Sequence, residues 1–166
     1  MKTLLIVRHA KSSWSNADTS DIDRPLNDRG KRDAPAMASK LIKAGTTIDH
    51  FVSSPAKRAR QTAELFIREF GKKEKAIRFL PELYHASIQV FKDVVTGLED
   101  DYSSVAIFSH NPGITAFVNT LTSVSLDNMP TCSVFAVTSP VDRWADFLSA
   151  GPVFWFFDYP KSGSAD

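Results

Sequence analysis

The chain has 166 residues, 43% of them hydrophobic, which suits one compact domain spanning residues 1–160 rather than several. Lys plus Arg number 20 and Asp plus Glu 19, so the overall charge offers no attraction to nucleic acid or to an anionic membrane, and any anion site has to be local. The opening MKTLLIVRHAK holds an apolar run of about five residues, short of the ~7–15 of a secretory core and of any membrane span, which points to a cytoplasmic protein.

The elements alternate along the chain. Leu4 to Val7 form a continuous apolar run, the pattern of a strand buried on both faces, and it ends at Arg8-His9. Ala34, Met37, Ala38, Leu41 and Ile42 recur at helical spacing between an Asn27 cap and a Gly45 stop, with Pro35 expected to kink or delay the helix. Ile48–Ser53 reads as a second strand, after which Ser54 is expected to cap a helix that begins with Pro55. That helix puts Ala59, Thr62, Ala63, Phe66, Ile67 and Phe70 on one face and leaves Lys57, Arg58, Arg60 and Gln61 off it.

Ile77–Leu80 is a short strand, and Phe91, Val94, Val95 and Leu98 mark a helix. Ser104–Ser109 is a strand ending at His110, and Asn111-Pro112-Gly113 opens a helix carrying Ile114, Phe117, Val118 and Leu121. Val134–Thr138 and Phe154–Tyr159 close the pattern, the last as an antiparallel partner, and the tail 161–166 is expected to be flexible. Cys132 is too solitary for an internal disulfide or a structural zinc site and is expected as a core or strand residue. Strands alternating with helices predict an α/β fold of three layers, helices on both faces of a mainly parallel sheet.

In such sheets ligands sit beyond the carboxyl ends of the strands. Arg8-His9, Ser54 to Arg58 and His110 each follow a strand, so three separate segments converge on one edge, next to two helix amino ends. Each residue alone reads as a loop contact, a solvated helix position or a cap; together they read as a phosphate site.

The segments RHAKSSW, SSPAKRARQTAE and SHNPG, in that order, resemble the histidine phosphatase superfamily, most closely the small phosphohistidine phosphatases of the SixA type, over Met1 to about Tyr159. The resemblance implies a phosphoglycerate mutase-like fold with His9 as nucleophile, Arg8 and Arg58 as phosphate-binding arginines and His110 as the second histidine. The motifs hold phosphate with cations and offer no cluster of carboxylate ligands, so the phosphatase is expected to need no metal or other cofactor.

The chemistry suits these residue types. Guanidinium groups pair with phosphate oxygens and stay charged, and a neutral imidazole can attack phosphorus once neighbouring cations disfavour its protonation. The second ring nitrogen of His9 is expected to donate to a backbone carbonyl, and His110 to bond a phosphoryl oxygen as a cation. An alkoxide leaving group needs a general acid, for which Glu82 in LPELYHAS is the candidate and Asp18 a second choice. An imidazole leaves more readily, which favours a phosphohistidine on a protein as substrate, with phosphate as product. The alternatives are a small-molecule phosphomonoesterase and a non-catalytic phosphate-binding module. Lys11 and Ser12 could touch phosphate or be solvated. Trp14, Trp144 and Trp155 are expected to pack, and His50 and His85 to be structural or exposed.

Overall fold

A computed structural model of the chain describes residues 1–160, so the predicted tail 161–166 lies outside the described residues. The elements follow in the order β1 (Lys2–Arg8), α1 (Asp28–Lys43), β2 (His50–Ser53), α2 (Lys57–Glu69), β3 (Arg78–Phe79), α3 (Ile88–Thr96), β4 (Ser104–Ser109), α4 (Gly113–Val118), β5 (Val134–Ser139) and β6 (Val153–Asp158). They build one six-stranded sheet in the order β3-β2-β4-β1-β5-β6. β1, β2, β3 and β4 pair in parallel, whereas β5 runs antiparallel to β1 and β6 antiparallel to β5.

The three layers follow from the two-residue period of the strands. Leu4, Ile6, Val105, Ile107, Phe135 and Val137 face one side and pack with residues of α3 and α4. Leu5, Val7, Ala106, Phe108, Val134 and Ala136 face the other and pack with residues of α1 and α2. Because both faces are covered, every residue of β4 is buried, which is why the sequence of a central strand carries no polar alternation. Truncating a fully buried ring here, as in Phe108→Ala, would cost about 3–5 kcal/mol.

Several local expectations need correction. α1 starts at the predicted cap, where the Asn27 side chain accepts from Gly30 N–H at 2.9 Å, but it runs through Pro35 to Lys43 without interruption. α2 starts later than predicted, at Lys57 after Ala56, so neither Ser54 nor Pro55 opens it. The third strand shrinks to Arg78–Phe79, and α4 ends at Val118 rather than reaching Leu121. Cys132 is buried in the core as expected, ahead of β5 and at a φ of 61°. Trp144 is fully buried, whereas Trp14 is 74% exposed and Trp155 46%, so two of the three tryptophans do not pack as expected. Among the described residues no helix is long and apolar enough to cross a membrane.

Candidate active site

The sheet register itself assembles the site. Arg8 pairs with Ser109 across β1 and β4, and Ser53 with Phe108 across β2 and β4. The residues that follow these strands, His9, His110 and Ser54, therefore emerge side by side at the carboxyl edge. Backbone bonds continue the ladder past the strand ends: His9 N–H donates to Ser109 O at 3.2 Å, and Ser54 N–H to Phe108 O at 3.0 Å.

His9 is fixed through its neighbours. Its Nδ1 lies 2.7 Å from the carbonyl oxygen of Ala10. A carbonyl only accepts, so Nδ1 carries the hydrogen and Nε2 keeps its lone pair. Ala10 N–H donates to Thr62 Oγ1 at 2.9 Å, and the Thr62 hydroxyl donates to Arg58 O at 2.7 Å, tying the histidine loop to the first turns of α2. On its other side the loop is held by α1. Asn27 N–H donates to Lys11 O at 3.0 Å, and a Cβ on Gly30 would stand 2.1 Å from that oxygen, an approach only glycine permits.

Arg8 and Arg58 enter from β1 and α2. Arg8 Nη1 donates to Met129 O at 2.7 Å; Arg58 Nη1 donates to Asp21 O at 2.6 Å and its Nη2 to Asp21 Oδ2 at 3.0 Å. Arg58 lies off the apolar stripe of α2, as its spacing predicts, yet is only 5% exposed. Burial, and then the charge of Arg58, lower the pKa of Arg8. The Nε groups of Arg8, Arg24 and Arg58 and the Nδ1 of His110 are all buried without a hydrogen-bond partner among the described residues. Four such nitrogens around one cleft form an arrangement suited to a multivalent oxyanion.

Both histidines are held neutral. Burial, followed by the charges of Arg58, Arg8 and Arg24, pushes the His9 pKa down to about 3 despite the opposing effect of the Ala10 carbonyl. Burial, then His9 and Arg58, push His110 down to about 2. In the free site an imidazolium this deep would stand beside Arg58 with little solvent; the expected cation is one that bonds a phosphoryl oxygen. His110 Nε2 lies 2.7 Å from Ser54 Oγ, and Ala56 N–H donates to the same oxygen at 3.2 Å. Ser54 thus serves the second histidine rather than the helix.

The cleft, with a volume of about 470 Å³, also takes in residues without a sequence signal. Arg24 donates to Ser12 Oγ and stacks its guanidinium 3.8 Å from the centre of the exposed Trp14 ring. Asp21 bonds Arg58 and accepts from the Tyr84 hydroxyl, which is the main reason its carboxyl is held well below the usual carboxylate range. Asp21 and Arg24 lie on a loop with no periodicity and reach the cleft because a short 3-10 turn, Asp21–Asp23, folds back over α2. His85, expected to be structural or exposed, is exposed but lines the cleft. Lys11 lines it from an exposed position and Ser12 from a buried one.

The structure does not bring Glu82 to this cleft. It is exposed in the 3-10 turn Pro81–Leu83 and lines a different depression with Arg78 and Asp93. Asp18 is exposed and does not line the cleft either. His50 is remote, stacked on Tyr102 with ring centres 4.2 Å apart.

The sequence model of the histidine phosphatase superfamily (branch 1) matches residues 4–89, so the chain belongs to that superfamily. It is similar to an uncharacterised chloroplast protein of Arabidopsis thaliana, 26% identical over 163 residues that cover 93% of this chain and 74% of that one. It is also similar to an uncharacterised protein of Mycobacterium leprae, 29% identical over 150 residues covering 83% and 89% of the two chains. Among solved structures, the protein histidine phosphatase SixA complexed with tungstate superposes with a TM-score of 0.83 at 24% identity, covering 98% of this chain and 99% of that one. The phosphoglycerate mutase-like three-layer fold predicted from the sequence is thereby shown.

Proposed function

We propose that the chain is a phosphatase that removes the phosphoryl group from a phosphohistidine on a protein, through a covalent intermediate on His9. The observation that carries the reading is the fixed tautomer of His9, an imidazole kept neutral by burial and three arginines, with Nε2 free and Nδ1 held by Ala10 O. The Nε2 lone pair attacks phosphorus, and the bond from phosphorus to the substrate's imidazole nitrogen breaks. That nitrogen takes a proton from solvent as it leaves. Ala10 O then supports the Nδ1–H of the phosphorylated ring. Water attacks phosphorus in the second step, breaking the bond to Nε2 and releasing inorganic phosphate. Arg8, Arg58 and His110 bind the phosphoryl oxygens in both steps, the arginines through their unpartnered Nε groups and His110 through Nδ1, which carries the hydrogen when Nε2 accepts from the Ser54 hydroxyl.

The leaving group is argued from the carboxylates. Among the described residues lining the cleft, Asp21 is the sole one, and Tyr84 and Arg58 keep it ionised. An ionised carboxylate cannot protonate an alkoxide. An imidazole, whose conjugate acid has a pKa of about 6.5, departs without that help. SixA, whose fold the chain shares, is a protein histidine phosphatase and was seen with tungstate, a tetrahedral oxyanion. Charge neutralisation by arginine supplies the stabilisation that a metal would otherwise give.

The test is a parallel assay on a phosphohistidine protein, an aryl phosphate and an alkyl phosphate, with and without EDTA. The phosphohistidine protein should be the best substrate, the alkyl phosphate the poorest, and EDTA without effect. Preference for the alkyl ester would replace this reading with that of a small-molecule phosphomonoesterase.

A further inference from the structure

The phosphate cleft continues into a second lobe. His85, His110 and Asn111 line both spaces, and beyond them a groove of about 430 Å³ runs between the loop before α3 and the amino end of α4. The chemistry changes sharply across that boundary. The first space carries Arg8, Arg24, Arg58 and Lys11, whereas no Asp, Glu, Lys or Arg lines the second among the described residues. Its walls are Ala86 and Ile88 on one side and Pro112 and Ala116 on the other.

The two walls are held in register by a close backbone contact. A Cβ on Gly113 would stand 2.1 Å from Ala86 O, so α4 can meet the loop only with glycine at its first position. The groove is open: Pro112 and Ala116 are exposed and Ala86 and Ile88 half-buried. A ligand spanning both spaces is therefore matched by an anionic end and an uncharged end that carries apolar surface.

We infer that this groove seats an apolar side chain that flanks the phosphohistidine in the substrate polypeptide, and so selects among phosphorylated proteins. The inference rests on the phosphohistidine reading above. The phosphoryl group and its imidazole occupy the charged space, and a neighbouring Leu, Ile or Met removes apolar surface from water on Ile88, Pro112 and Ala116. Ser87 and Asn111 also line the groove, but among the described residues it holds no Lys or Arg to pair with an acidic neighbour.

Synthetic phosphohistidine peptides carrying Leu or Ser at each flanking position, together with a small aryl phosphate, test it on wild type, Ala116→Asp and Ala116→Trp. In wild type, Leu at one flanking position should raise kcat/KM about ten-fold over Ser, equivalent to about 1.4 kcal/mol. Both variants should abolish that preference while cleaving the aryl phosphate within about two-fold of wild type, which also shows that they fold. Equal rates on Leu and Ser peptides, or a Leu preference that survives both variants, would overturn the groove assignment and leave the phosphohistidine reading standing. Cleavage of the aryl phosphate with no cleavage of any peptide would instead remove the phosphohistidine reading and this inference with it.

Discussion

The rings of His9 and His110 lie 5.2 Å apart, tilted by 49°, yet their hydrogen bonds lie on separate partners, His9 Nδ1 with Ala10 O and His110 Nε2 with Ser54 Oγ. Two imidazoles this close and this buried cannot both be protonated beside Arg58. Their shared neutrality leaves His9 nucleophilic and makes the pair sensitive to acid.

Stability should therefore fall on mild acidification. His9 and His110 have folded pKa values of about 3 and about 2, below the ~6.5 of an unfolded chain. Above pH ~6.5 neither state binds the extra protons; below it the unfolded chain takes them up first, so stability is lost progressively as pH falls toward the folded values. Asp21, also depressed, adds its loss only below pH ~4. Urea midpoints at pH 7.0, 6.0 and 5.0 should decline in wild type and decline less in His110→Asn. Parallel declines in the two proteins would show that His110 titrates normally.

Thr62→Val should be costly for its size. The change is nearly isosteric, but it leaves the buried Ala10 N–H without its acceptor, a loss of about 1–3 kcal/mol. Because Ala10 O orients His9, kcat should drop as well, and Thr62→Ser should restore both. A Thr62→Val protein with wild-type midpoint and rate would show that the Arg58-Thr62-Ala10 connection is incidental.

Asp21 occupies two donors of Arg58 that a phosphate would use. Removing its charge with Asp21→Ala should tighten inhibition by inorganic phosphate about ten-fold, since a like charge leaves an otherwise cationic cleft. Weaker inhibition would mean that Asp21 chiefly orients Arg58, and inhibition constants for wild type and variant separate the two.

Glu82→Gln should change the rate on a phosphohistidine protein and on an aryl phosphate by less than about two-fold, because Glu82 faces a different depression from His9. A loss of about 10²-fold or more on either substrate would identify it as the general acid.

Much of this site was legible because strand periodicity and helix spacing fix where a chain segment ends. Val7 and Phe108 are apolar to the last turn of their strands, so Arg8-His9 and His110 had to fall at the carboxyl edge. Arg58 was legible because its segment follows β2 and matches the SSPAKRARQTAE resemblance, not from its place off the α2 stripe, which it shares with Lys57, Arg60 and Gln61. Asp21, Arg24 and Tyr84 were not, since they lie on irregular segments whose path is set by what they cover. Ser54 was misread as a helix cap because local rules see a serine before a proline, whereas the partner it serves, His110, is 56 residues away. Trp14 was misread for a similar reason: composition assigns a tryptophan to the interior, and here its partner is the Arg24 guanidinium at the surface.

The central claim is that the phosphoryl group passes through His9 Nε2. Wild type mixed with a phosphohistidine protein, quenched in alkali within milliseconds and mapped by mass spectrometry, should carry one phosphoryl group on His9. Folded His9→Ala should carry none and lose at least about 10³-fold in activity. Label on another residue, or full turnover by folded His9→Ala, would contradict the account.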